Sequence, residues 1–330
     1  MTSPYTPATA ARAFALGLAA AALLGAGGAA AQAAYPAKPI TMVVPYPPGG
    51  GADTLARIVA QKLGDRLKQT VIVENKPGAN TIIATEYVAR QPADGYTLLY
   101  VASSFSINPS LYKLNYDTRK AFAPVGLIAQ VPLMLVANKA FPAATVQELI
   151  DYAKGHPGKV TFASYGTGSP AHLAGELFKS MTGADIMHVP YKGSSQALND
   201  MIGGHVDISF SSMPPALNLV RAGELKSMAV TTPKRTRGAP DVPSVGESGV
   251  PGFDATGWNG LVAPAGTPAE IVQSLNRTLN DIVADPEVEK QLIGEGYEPA
   301  TLSADEFARM ISGEIDKWGK VVKDANIVMN

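Results

Sequence analysis

The stretch Ile40-Thr41-Met42-Val43-Val44-Pro45-Tyr46-Pro47-Pro48-Gly49-Gly50-Gly51 decides the fold of this chain. Its first five residues form a short apolar, β-branched run that reads as a buried strand, and the Pro/Gly run ends it. Leu55, Ile58, Val59 and Leu63 then recur at helical spacing as far as Leu67. Working outward, Val71-Ile72-Val73 is a second strand, closed by Glu74-Asn75-Lys76-Pro77-Gly78. A helix is expected over 82–90 and a third strand over 97–101, followed by the polar loop Ser103-Ser104-Phe105-Ser106. Strands alternating with helices in this way predict an α/β fold with a mostly parallel sheet flanked by helices.

The same pattern restarts further on. An apolar stretch over 126–137, broken by Pro132, leads to a helix over 146–154 and a strand over 160–163. The turn Ser164-Tyr165-Gly166-Thr167-Gly168-Ser169-Pro170 opens a helix over 171–181, and strands follow at 186–189, 206–210 and 225–231. The Pro/Gly-rich 233–257 reads as a long connection. A strand over 258–262 and helices over 268–284, 286–295 and 304–323 finish the chain. A helical tail after a second α/β unit is expected to pack back on the first. The expected division is therefore lobe 1 from 34–135 with 258–330, lobe 2 from 136–257, and a hinge of two strand crossings.

The N-terminus reads as an export leader. Arg12 precedes an apolar run over 13–24, and a string of small residues ends in Ala31-Gln32-Ala33. A cation, a short apolar stretch and an A-x-A site make a signal peptide over 1–33, cut after Ala33 or alternatively after Ala31. The run is shorter than the ~20 apolar residues that a bilayer span requires. A protein delivered to the periplasm and not anchored in the membrane is expected.

Composition narrows the function. The formal net charge is −1, and the leader holds one cation and no acid, so the mature chain stays slightly acidic. That argues against nucleic acid, which demands a basic surface. The chain has no Cys, which excludes disulfides, thiolate metal sites and cysteine nucleophiles. No pair among His156, His172, His188 and His205 has the spacing of a helical zinc motif, so no metal and no cofactor are expected. Gly166-Thr167-Gly168-Ser169-Pro170-Ala171 formally fits a dinucleotide fingerprint, but no acidic residue ends the next strand. Ser110-Leu111-Tyr112-Lys113 fits an acyl-transferase motif that lacks its companion motifs.

The remaining chemistry lies in strand-to-helix turns, where open α/β sheets bind ligands. The Gly166–Ser169 turn suits an anion, because a helix start presents backbone N–H groups and a positive dipole end. Thr167 and Ser169 add hydroxyls. In the first unit the candidates are Tyr46, Gly49, Gly50, Gly51, Ser103 and Ser104. Neutral donors on two lobes describe a cleft that holds a small anion and closes over it by a hinge. Each charge-assisted hydrogen bond contributes roughly 1.5–3 kcal/mol against a desolvation cost of several kcal/mol, so four to six leave about −8 kcal/mol, a micromolar site.

Several segments in order resemble the Bug, or TctC-like, substrate-binding proteins of tripartite tricarboxylate transporters. They are Pro39 to Asp53, Val73-Glu74-Asn75-Lys76-Pro77-Gly78, Ala93-Asp94-Gly95-Tyr96-Thr97-Leu98-Leu99, Ile107-Asn108-Pro109-Ser110-Leu111-Tyr112, Tyr165 to Leu173, Val189-Pro190-Tyr191-Lys192-Gly193 and Gly203-Gly204-His205-Val206-Asp207. The resemblance implies a two-lobed periplasmic binding protein fold of the type II class. It implies a small carboxylate ligand (a di- or tricarboxylate, an acidic amino acid or an aromatic acid) and a monomer that delivers it to the permease subunits of a membrane transporter. By position it implies ligand contacts at Tyr46, Gly49, Gly50, Gly51, Ser103, Ser104, Thr167, Gly168, Ser169, His172 and Asp207. One run departs from the family's Gly-rich pattern: Gly78-Ala79-Asn80-Thr81-Ile82-Ile83-Ala84, in which two isoleucines are read in place of glycines. If that run borders the cleft, a less polar acid is expected. Two other functions stay open: an exported serine-type hydrolase, and a module that presents its loaded form to a membrane sensor kinase.

Overall fold

The computed structural model describes residues 35–329. The leader expected over 1–33 lies outside them. The chain first forms β1 (Ile40–Val44), α1 (Gly51–Leu67), β2 (Val71–Asn75), α2 (Ile82–Ala89), β3 (Thr97–Ala102), α3 (Ser104–Leu111) and β4 (Phe122–Val131). It continues through β5 (Leu133–Asn138), α4 (Val146–Gly155), β6 (Val160–Ser164), α5 (Pro170–Thr182), β7 (Ile186–Pro190), α6 (Ser194–Ile202), β8 (Ile208–Ser212), α7 (Met213–Arg221) and β9 (Leu225–Val230). It ends with β10 (Gly257–Pro264), α8 (Ala269–Val283), α9 (Pro286–Gly294), β11 (Glu298–Pro299) and α10 (Ala304–Asp324).

The strands make two sheets, ordered β11-β4-β10-β3-β1-β2 and β7-β6-β8-β5-β9. The fold is α/β and two-lobed, with helices flanking both sheets. The sheets are mixed, which corrects the expectation of mostly parallel ones. β2, β1 and β3 are parallel, as are β7, β6 and β8. β10 and β5 run antiparallel to both of their neighbours. The reason is the route of the chain. β5 and β10 are the strands that arrive from the other sheet, so each starts at the cleft and runs away from it, while their neighbours run toward it.

The two passages between sheets lie side by side. Pro132 alone separates β4 from β5. The fully buried Thr231, just past β9, receives the Leu133 N–H at its hydroxyl (3.1 Å) and donates its own N–H to the Leu133 carbonyl (2.9 Å). Its carbonyl accepts the Ala255 N–H, so one residue ties the outgoing strand to the returning one.

α10 starts with a capping box of Ser303 and Glu306. Phe307, Ile311 and Ile315 join the core around β3, β4 and β10, whereas Trp318, Val321 and Val322 join the core of the second sheet. The helix therefore bridges both lobes along its apolar face.

Two local readings are corrected. Residues 103–106 are not a loop; Ser103 precedes α3 and Ser104 begins it. The strand expected over 206–210 runs on to Ser212 and is followed by α7, which sequence reading missed. Pro214 and Pro215 disguise that helix, yet they occupy its first turn, where no intrahelical N–H is required.

Candidate functional site

The carboxyl ends of the parallel strands face each other across a cavity of about 830 Å³. Tyr46, Gly51, Ser103 and Ser104 line it from the first lobe, and Thr167, Gly168 and Ser169 from the second. The structure thus brings these expected site residues together. It places Gly49, Gly50, His172 and Asp207 outside the lining.

For Gly49 the reason is Asp53. Its Oδ2 accepts the Gly49 N–H (2.9 Å) and the Arg57 Nε–H (2.9 Å), and its Oδ1 accepts from Asn75 Nδ2 (2.8 Å). The Arg57 hydrogen bond, opposed by burial and helped by Gly49 and Asn75, holds the Asp53 carboxyl down at about 2. The glycine-rich loop spends a donor on this carboxylate instead of presenting it to a ligand. Asn75 also donates to the Tyr46 carbonyl (3.0 Å), which fixes Tyr46 at the wall. The Tyr46 hydroxyl lies 3.2 Å from Ser104 Oγ. Burial raises its pKa against the Ser104 hydrogen bond, so it stays a neutral donor. Ser103 Oγ accepts the Trp258 N–H (3.0 Å) and anchors the start of α3 to β10.

The anion turn also consumes much of its own polarity. Gly166 and Gly168 take φ of 130° and 76°, conformations that favour glycine. The Gly168 N–H goes to His172 Nδ1 (3.1 Å), the Ser169 N–H to the Gly166 carbonyl (3.1 Å), and the His172 N–H to Ser169 Oγ (3.3 Å). Tyr165 is pushed up to about 12 by burial, against the lowering influence of Ser212 and Ala171, so its hydroxyl stays neutral. The backbone donors expected to meet an anion are thus largely occupied. What this turn offers a ligand is Thr167 and the hydroxyl hydrogen of Ser169.

His172 supports the turn from behind. Its ring stacks on His188, which itself lies 2.7 Å, Nε2 to Oγ, from Ser164. Burial, then His188 and Lys179, lower the His172 pKa to about 3. Burial and then Lys179 lower that of His188 to about 4. Asp207 lies at the opposite end of the sheet. Its Oδ2 accepts the Thr161 N–H (2.7 Å) and hydroxyl (2.8 Å) near the start of β6, joining the amino ends of β6 and β8.

Sequence reading missed Asn80, Tyr165, Trp258, Asn259 and Tyr297, all of which line the cavity, and its charged residues, Arg221 and Glu295. Asn80 lies in the run that departs from the Gly-rich pattern. There Ala79, Asn80 and Thr81 have φ of 45°, 48° and 77°. Ile82 and Ile83 are not among the lining residues, and Ile83 is half exposed. The expected apolar contribution to the cleft is therefore replaced by an amide.

The family model described as "Tripartite tricarboxylate transporter family receptor" matches residues 55–327. The chain belongs to this family. This TctC-family receptor is 39% identical over 297 residues to Protein BugT of Bordetella pertussis, covering 88% of this chain and 90% of that one. Its structure is similar to that of an R. palustris protein with adipate, with 38% identity and a TM-score of 0.78, over 89% of this chain and 99% of the other. MatC from Rhodopseudomonas palustris with bound malate is also similar, at 30% identity and a TM-score of 0.72, over 87% of this chain and 100% of MatC. Among the described residues of the receptor, no helix is long and apolar enough to cross a membrane.

Proposed function

We propose that this receptor captures a small organic carboxylate in the periplasm, closes its lobes around it and delivers it to the permease subunits of a tripartite transporter, without chemical change. In this reading the leader over 1–33 is removed and the protein acts as a monomer. The lobes comprise 34–135 with 258–330, and 136–257, and they hinge at the two strand passages. The observation that carries the proposal is the cavity wall: hydroxyls of Tyr46, Ser104, Thr167 and Ser169 from both lobes converge on one cavity. Neutral donors replace the water shell of a carboxylate without trapping it as a buried cation would. The ligands seen with the two R. palustris proteins, adipate and malate, fit the same chemistry.

An exported hydrolase would need an activated serine. The Ser164–His188 pair has suitable spacing, but Ser164 is fully buried behind the turn and exchanges bonds with the Gly166 carbonyl and N–H. Its role in this reading is to brace the turn. Native mass spectrometry of receptor purified from the periplasm tests the proposal. A retained small acid, displaced by added succinate or adipate, is expected. Turnover of ester substrates, with no mass or thermal shift on adding carboxylates, would refute it.

A further inference from the structure

Asn108, Asn138, Asn259 and Asn276 are the buried asparagines among the described residues. Three have side-chain amides bonded to protein: Asn108 to Asn80, Asn138 to the Met201 carbonyl, and Asn276 to the Val125 and Leu302 carbonyls. Asn259 is the exception. It lies on β10, only 6% exposed as a residue, and lines the cavity; its amide makes no protein hydrogen bond among the described residues and is not sealed from solvent. The β10–β4 ladder is interrupted beside it, where Ile128 of β4 is left without a partner, whereas the β10–β3 ladder runs unbroken through Asn259. An amide that no protein group bonds, on an otherwise buried residue at the wall of a ligand cavity, is placed to bond a group that the ligand supplies.

Asn80 adds a second amide to the same lobe's wall. Its orientation is fixed by Asn108, whose Nδ2 donates to the Asn80 carbonyl (2.7 Å) and to Thr81 Oγ1 (3.3 Å). Asn108 Oδ1 therefore accepts from Asn80 Nδ2 (2.7 Å), which leaves Asn80 Oδ1, on an exposed side chain, free to accept from a ligand. Three successive left-handed non-glycine residues hold Asn80 there, a strained arrangement of the kind that persists at ligand clamps.

We infer that Asn259 and Asn80 read a hydrogen-bond donor on the ligand, so that the receptor selects carboxylates bearing a hydroxyl or ammonium group over their unsubstituted counterparts. This rests on the carboxylate-binding reading above. A carboxylate satisfies the amide N–H groups and the wall hydroxyls, but as an acceptor only it offers no donor to the amide oxygens. Once closure removes water, a hydroxyl or ammonium on the ligand supplies what those oxygens lack.

Calorimetric titration with matched pairs tests the inference: succinate against malate, glutarate against glutamate, and benzoate against 4-hydroxybenzoate. In wild-type receptor the substituted member of the best-bound pair is expected to bind about tenfold tighter, ~1.4 kcal/mol. Asn259→Leu should cut that ratio to below about threefold while the ligand-free protein keeps its melting temperature, because the amide makes no protein hydrogen bond that the substitution would break. Asn80→Gly, which keeps the left-handed backbone accessible, should also reduce the ratio. Equal affinities within every pair that binds wild type would overturn the inference, as would an unchanged ratio in both variants. Wild type that binds none of the six acids would overturn the carboxylate reading itself, and this inference with it.

Discussion

The imidazole of His172 lies flat on that of His188, with ring centroids 3.7 Å apart and planes 12° from parallel. Because Gly168 donates to His172 Nδ1, the turn needs that nitrogen unprotonated. Both rings are held neutral in the folded chain, at about 3 and about 4 against the ordinary 6.5. Between pH 6.5 and those values the unfolded chain therefore binds more protons, and stability falls as pH falls. Glu176, 3.7 Å from His172 Nε2, and Lys179 are the charged neighbours that accompany this titration. Thermal melts from pH 7 to pH 4 should show the decline. His172→Gln should flatten it, and an unchanged pH slope in that variant would show that the stack is not its source.

Gly168 places the second lobe against the first. A Cβ at this position would meet Leu111 Cδ1 at 2.5 Å, and the φ of 76° already disfavours a side chain. Gly168→Ala should weaken ligand binding about tenfold, because it strains the turn and holds the lobes apart. Adding Leu111→Ala removes the clash but not the strain and should recover part of the affinity. Titration of the single and double variants with one carboxylate would measure this.

Ala79 is exposed at a φ of 45°, so its methyl group contributes strain and little packing. A left-handed residue costs roughly 1–2 kcal/mol, whereas glycine loosens the unfolded chain by about 0.4–1 kcal/mol. Ala79→Gly should therefore stabilise the receptor by about 0.5–1 kcal/mol, the reverse of the usual effect of this substitution. Urea unfolding at constant m would detect it.

Asp53→Ala removes three hydrogen bonds at the glycine-rich loop that follows β1. The carboxylate is buried, and its partners include a backbone N–H and an amide, so a loss of about 2–3 kcal/mol is expected. Affinity should fall as well, because Tyr46 is positioned through Asn75. Asp53→Asn should retain part of the stability but lose the Arg57 ion pair. Denaturant melts and ligand titration of the two variants would separate these effects.

Arg237, in the connection between β9 and β10, braces the lobes near the hinge. Its N–H and Nε–H reach Glu298 (2.6 and 2.9 Å), Nη2 reaches the Pro299 carbonyl (3.3 Å), and Nη1 pairs with Glu289. The guanidinium is half exposed, so the network is worth about 1 kcal/mol after screening. Arg237→Lys keeps the charge but loses the fork. It should lower the melting temperature slightly at low salt, with the difference from wild type shrinking at high salt.

The alternation of apolar runs with helical spacing placed β1, α1 and β2 close to their observed bounds, because strand and helix periods are local properties of side-chain direction. Ser103, Ser104, Thr167 and Ser169 were legible as cleft residues for a related reason: turns beyond parallel strands must open at one sheet edge. The antiparallel entry of β5 and β10 was not legible, because strand direction follows from the path between sheets. Asn259 reads as one residue in a buried strand, and only the meeting of the two lobes turns that strand's end into a cavity wall. His172 and Asp207 carried family pattern without position; one props a turn and the other joins the far ends of two strands.

By itself the sequence determined the βα rhythm, the turn chemistry and the family pattern, since all of these are written in neighbouring residues. Tertiary structure alone decided which donors remained available. Asp53, Ser164 and His172 occupy backbone groups that looked free along the chain, while a buried asparagine and a strained one, distant in sequence, supply the amides at the wall. The physical reason is that hydrogen-bond capacity is finite and is allotted among groups that meet only after the chain has folded.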